Sequence, residues 1–145
     1  MWKGGCRMNA VSAEHTYVMA QRFDKALKTI RGALAEVELD VADEFDTAGI
    51  LDWRADSTPA RSRVLLVDCP LLLFEALALD RASAVFFPLH ILVSDDGDRT
   101  HVSVINPAGL FDARLPVGAA DPMDRLQARV ALALESANAV QTNIE

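Results

Sequence analysis

The sequence predicts an α+β domain: a mostly antiparallel sheet of about four or five strands with helices packed on it, in the order β-α-β-(α)-β-α-β-β-α. Three observations carry this. Phe23, Leu27, Ile30, Leu34 and Val37 recur at steps of four, three, four and three, which is the period of a helix burying one stripe. From Val37 the period switches to two, with Val37, Leu39 and Val41 alternating with Glu38 and Asp40 as in a half-buried strand. Ser83–Pro107, SAVFFPLHILVSDDGDRTHVSVINP, then reads as two strands joined by a tight Asp96-Gly97 turn and holds the most apolar run of the chain.

The remaining elements follow in chain order. Met1 to Ala13 is expected to be a disordered leader, with Met8 as an alternative start, and residues 14–145 a single domain. Glu14–Gln21 is a candidate first strand. A short turn of helix, Thr47–Trp53 capped by Asp46, and a loop, Arg54–Ser62, follow the acidic strand. Val64–Val67 is a continuous apolar run, expected to be a central strand covered on both faces. At Asp68-Cys69-Pro70 a helix begins, since Pro suits a first turn whose N–H groups have no partners. Along Leu71–Leu79 only Glu75 is polar, so the helix needs cover on more than one side, and a homodimer contact through Pro70–Leu79 is the expectation.

In the hairpin the Asp96-Gly97 turn pairs Ser94 with Arg99, Ile91 with Val102 and Leu89 with Val104. Pro88 cannot donate to a ladder, so the first of these strands starts afresh or bulges there. The last helix is expected from Asp121 as cap with Pro122 at its first position, and Val140–Glu145 is expected to fray.

Composition bounds the function. The chain has 145 residues, is 51% hydrophobic and carries a formal charge of −7, which disfavours nucleic acid and anionic membrane as partners. It has no apolar stretch near the ~18 residues a membrane span needs. Two cysteines, Cys6 and Cys69, make no disulfide framework. A soluble cytoplasmic protein with no cofactor is the expectation. Nucleotide-binding, hydrolase and zinc-type signatures are absent, and Asp95-Asp96-Gly97-Asp98 lacks the spacing and distal Glu of a calcium loop. The acidic cluster from Glu36 to Asp46 reads as a wet strand face, and the basic row Arg22, Lys25, Lys28 and Arg31 as a solvated helix face.

The order of amphipathic helix, acidic strand, VLLVDCP, apolar helix and FFPLHILVSDDGDRTHVSVINP resembles the domain of unknown function 302 family, widespread in bacteria and archaea. The resemblance covers roughly Phe23 to Asp112. It implies a small α+β domain with a largely antiparallel sheet, associating as dimers, and it supplies no activity. Some members carry Cys where Asp68 and Leu89 stand here, so this chain lacks that thiol pair, with Cys69 one position away. It also has Glu36-Val37-Glu38 where the family commonly ends its first helix with Gly.

Candidate site residues are few. Cys69 at a helix N-terminus is placed for a lowered thiol pKa, though the neighbouring Asp68 opposes the anion. In the derived register His90 and His101 are diagonal neighbours roughly 7–8 Å apart, within reach of a shared metal but two ligands short of a zinc site. Arg61 and Arg63 are candidate anion contacts. The expected function is a small homodimeric binding or regulatory module, non-enzymatic, with an interlayer pocket for a small apolar ligand. The alternative is a thiol- or metal-dependent enzyme centred on Cys69, His90 and His101.

Overall fold

Alternation along two strands, β4 (Leu89–Asp96) and β5 (Arg99–Ile105), sorts the molecule into two layers. Leu89, Ile91, Val93, Val102 and Val104 are buried, whereas His90, Leu92, His101 and Ser103 lie on the opposite face with some exposure. The computed structural model describes residues 14–47, 60–105 and 117–142. Before the hairpin come β1 (Glu14–Met19), α1 (Phe23–Glu36), β2 (Asp40–Asp46), β3 (Ser62–Asp68), α2 (Pro70–Leu79) and a 3₁₀ turn (Arg81–Phe86). After it come α3 (Val117–Ser136) and β6 (Val140–Thr142).

The six strands form one antiparallel sheet in the order β2-β3-β4-β5-β1-β6. α1 packs on β4 and β5, and α3 packs on α1 and α2, so the helices make one layer over one sheet face. Phe23, Leu27, Ile30 and Leu34 of the α1 stripe join Leu65, Val67, Ile91 and Val93 and Leu126, Val130 and Leu134 of α3 in a single core. Val64–Val67 is therefore covered on one face only. Leu65 and Val67 are buried while Val64 and Leu66 remain half-buried on the open face, where Leu92 neighbours Val64 and the exposed Phe45 pairs with it from β2.

A bulge explains the acidic strand. Val41 pairs with Val67 but Asp43 with Leu66, so Ala42 is the extra residue and every later side chain changes face. Glu44 is thereby turned to the helix side, where Arg31 of α1 donates to it through Nε and Nη2, each at 2.7 Å. Arg63 of β3 donates to the same carboxylate at 3.3 Å. Those two guanidinium groups hold the Glu44 carboxyl below the usual carboxylate range, Arg31 contributing most.

The hairpin register is two residues away from the sequence reading. Asp96 pairs with Arg99, Ser94 with His101 and Ile91 with Val104, so the two turn residues are Gly97 and Asp98. Gly97 takes φ +77°, the positive value a type II′ turn asks of its first central residue, and its N–H donates to Asp95 Oδ1 at 3.0 Å. A glycine serves as second residue of one hairpin turn or first of another, and composition alone does not choose. A shift by two preserves which side chains face the core.

Both long helices end in the same way. In α1 the Glu38 N–H donates to Ala35 O and the Leu39 N–H to Leu34 O, both at 3.0 Å, with Glu38 at φ +63°. In α3 the Asn138 N–H donates to Glu135 O and the Ala139 N–H to Leu134 O, with Asn138 at φ +65°. These are Schellman endings, and the left-handed position is where glycine is usual. Asn tolerates it; Glu does so at a cost. Replacing Glu38→Gly is expected to raise unfolding stability by about 0.5–1 kcal/mol, relief of the left-handed strain outweighing the added freedom of the unfolded chain. A urea midpoint that rises with unchanged slope checks this; a midpoint that stays or falls shows that Glu38 bears no strain.

Three further readings are corrected. α3 begins at Val117, so Pro122 lies inside the helix instead of opening it. The tail pairs as β6 on the outer edge of β1, where Thr16 and Thr142 hydroxyls meet at 2.7 Å, because the α3 ending turns the chain back along the sheet. That sixth strand takes the sheet beyond the four or five expected. β3 begins at Ser62, inside the expected loop. The leader and most of the Thr47–Trp53 turn fall outside the described residues.

Candidate functional site

Pro70 opens α2 and leaves Cys69 at its N-cap, in extended conformation. The Cys69 N–H donates to Asp68 Oδ1 at 2.8 Å, and Arg129 of α3 places Nη1 3.6 Å from Cys69 Sγ. Cys69 is only 4% exposed. Burial raises the Asp68 carboxyl above its ordinary value, and Asp40, paired with it across β2, pushes the same way. The thiol thus faces a guanidinium at a helix N-terminus. The low exposure restricts what can reach it.

The other candidates do not join it. Arg61 lies at the far end of β3, about 25 Å away along the strand. Its guanidinium donates to Asp24 at 2.7 Å and stacks 4.6 Å from the centroid of the Phe23 ring. Arg63 is taken up by Glu44 and by Asp46 at 3.8 Å. His101 Nε2 sits 2.9 Å from Asp96 Oδ2 and holds that carboxyl below its usual range, helped by Arg99. His90 is exposed on the open sheet face opposite Leu66. The observed register puts four residues between His90 and the partner of His101, so the two rings lie about 13 Å apart along the strands, not 7–8 Å. Among the described residues no group of three or more His, Cys, Asp or Glu side chains is arranged to hold a metal ion.

α2 presents a different kind of surface. Leu72 and Ala76 are buried and Leu73 packs against the core, while Leu71, Phe74 and Leu79 are 61%, 69% and 72% exposed. Val85 in the following 3₁₀ turn is 74% exposed. The one polar residue of the helix, Glu75, accepts from Arg125 of α3 at 2.7 Å, and Arg125 also reaches Asp121 at 3.3 Å. That pair anchors α2 on α3 and leaves the apolar side facing outward.

Sequence reasoning passes over three residues that the fold brings together. Tyr17, the only tyrosine of the chain, lies under α3 with His15 and Gln141 beside it, the Gln141 amide nitrogen 3.5 Å from His15 Nδ1. The available signal is the alternation of Tyr17 with Met19 on β1, which marks Tyr17 as inward-facing. Gln141 has no such signal, because its place depends on β6.

No helix among the described residues is long and apolar enough to cross a membrane. No curated protein matches the chain. Among solved structures it is similar to the crystal structure of an uncharacterised conserved protein, DUF302, from Bacillus stearothermophilus. The TM-score is 0.72 and the identity 16%, over 86% of this chain and 98% of that one. At that identity the likeness speaks for the fold alone: a six-stranded antiparallel sheet under one helical layer. A family model, the domain of unknown function DUF302, matches residues 15–137, which run from the second residue of β1 past the end of α3. The chain belongs to the DUF302 family.

Proposed function

We propose that the protein is a cytoplasmic homodimeric binding or regulatory module whose dimer contact is α2 with the 3₁₀ turn, and that it is not an enzyme of the Cys69, His90 and His101 set. The observation that carries this is the outward face of α2. Leu71, Phe74, Leu79 and Val85 each expose well over half of their surface and together offer on the order of 500 Å² of apolar area, at the upper end for a monomer. A standard interface takes ~800 Å² per partner, so this patch with a polar rim is sufficient for one. A second copy suits it because the seam is self-complementary. Leu71, Phe74 and Ala78 share one helix side at steps of three and four, and an antiparallel copy sets Leu71 against the small Ala78 around a central pair of Phe74 rings.

The net charge of −7 supports a partner other than nucleic acid. Light scattering at micromolar concentration is expected to give twice the 15.8 kDa chain mass. A mass of one chain under those conditions removes the dimer.

One contact favours a second reading, thiol chemistry: the Arg129 guanidinium on the Cys69 sulfur at the α2 N-terminus. On that reading iodoacetamide modifies Cys69 faster than free cysteine at neutral pH, and Arg129→Ala abolishes the difference. Peptide mapping separates Cys69 from Cys6. A rate at or below that of free cysteine, as burial predicts, ends the thiol reading.

A further inference from the structure

A groove runs between α3 and the β1–β6 edge of the sheet. It comprises two adjoining cavities of about 440 and 410 Å³, which share Tyr17, Ala128, Ala131 and Gln141. Either is of the size that small-molecule sites have. The α3 wall is Ala128, Ala131, Leu132 and Glu135, which fall on one helix side at offsets of three, four and seven; alanine at two of these positions is what leaves the space.

Tyr17 forms the floor. It is 7% exposed, it lines both cavities, and among the described residues its hydroxyl has no hydrogen-bond partner. The ring is enclosed but the hydroxyl oxygen is not, so an occupant of the cavities can bond it. Burial, and then the Glu135 carboxylate, raise its pKa above 10.0, so the phenol stays neutral and keeps both its proton and its lone pairs for an occupant.

The charge of the walls selects the occupant. Glu135 lines one cavity and Asp124 the other, and neither has a lysine or arginine among its described lining residues. An anion entering here would meet two carboxylates with no cation to offset them. A metal ion lacks ligands, since the remaining polar groups are two amides, one imidazole and the phenol. The apolar walls require a body that fills space between alanines and Leu132.

We propose that this groove binds a small flat organic cation of the arylalkylamine class, its ammonium donating to Glu135 and to the Tyr17 hydroxyl oxygen and its ring lying against Ala128, Ala131 and Leu132. The inference rests on the binding-module reading but not on the dimer. It names a ligand class that is cationic at one end, where the expectation from sequence is a wholly apolar one.

Titration calorimetry with phenethylamine tests it. Saturable binding of one phenethylamine per chain is expected, with Glu135→Gln and Tyr17→Phe each weakening it about tenfold, the usual worth of a hydrogen bond to a charged group. Ala131→Trp, at an exposed helix position, fills the groove and abolishes binding without unfolding the chain. The anion 3-phenylpropionate, of similar shape, is expected to bind at least about tenfold more weakly. Absence of saturation at millimolar phenethylamine, equal binding of the anion, or full affinity in Glu135→Gln overturns the site. Phe74→Asp separates the two proposals: a monomer that still binds phenethylamine upholds both, a monomer that binds none overturns the groove alone, and a dimer that binds phenethylamine overturns the α2 contact alone.

Discussion

Truncating Ile91→Ala is expected to cost about 3–4 kcal/mol of unfolding stability, within the range for a buried isoleucine or leucine cut to its first carbon. Ile91 is fully buried at the centre of the sheet, flanked by Leu65 on β3 and Val104 on β5 and covered by the helical layer. Its position leaves little scope for collapse around the void, because strands on both sides fix the backbone and α1 packs above. For a domain near this size the loss lowers the melting temperature by roughly 6–16 °C. The next residue supplies the contrast. Leu92 is half-buried on the open face, so Leu92→Ala is expected to cost no more than about 1 kcal/mol, in proportion to the smaller area it removes from water. Thermal unfolding of the two variants decides between a sheet covered once and a sheet covered twice. Equal losses would mean that the outer face is as well sheltered as the inner one.

That contrast is also where reading the sequence stops short. Val64-Leu65-Leu66-Val67 carries no alternation, and a continuous apolar run is the usual mark of a strand buried on both faces. The chain instead leaves half of these residues on an open surface, which only the placement of all three helices on one side reveals. The α1 stripe, by contrast, is legible residue by residue, because Phe23, Leu27, Ile30 and Leu34 follow one period and all four are buried. The hairpin is legible in its strands and faces but not in its register, since either neighbour of Gly97 can complete a tight turn. The missing glycine at the end of α1 marks a real backbone position: Glu38 occupies the left-handed conformation that glycine takes most easily.

The functional residues are the least legible, for a related reason. Cys69, Asp68, His90, His101, Arg61 and Arg63 attract notice by chemical type, yet the sheet distributes them over both ends and both faces. The contact on Cys69 comes from Arg129, sixty residues later in the chain. Tyr17 and Gln141 draw no notice in sequence, and they meet only because α3 returns the chain to the edge of β1. Glu44 is a similar case, since one extra residue at Ala42 decides whether it faces water or Arg31.

Phe74→Asp is expected to raise the dimer dissociation constant by roughly a thousandfold or more while leaving the chain folded. In a two-fold contact each substitution acts twice, and placing a carboxylate in an apolar seam costs ~2 kcal/mol per copy as a lower figure, which together is about a thousandfold. The fold has little at stake. Phe74 is 69% exposed and α2 is held by Leu72, Ala76 and the Glu75–Arg125 pair, so the monomer's own stability should shift by no more than about 0.5 kcal/mol. Sedimentation velocity across a dilution series reads the mass, and far-ultraviolet circular dichroism reads the fold. The open sheet face is the rival surface, with Val64, Leu66 and Leu92 half-buried and Phe45 exposed beside them. Leu92→Glu acts there and not on α2. A dimer that survives Phe74→Asp and dissociates in Leu92→Glu would move the contact from helix to sheet. The reverse pattern places it on α2, where Leu71, Phe74, Leu79 and Val85 would then be the residues through which two copies hold one another.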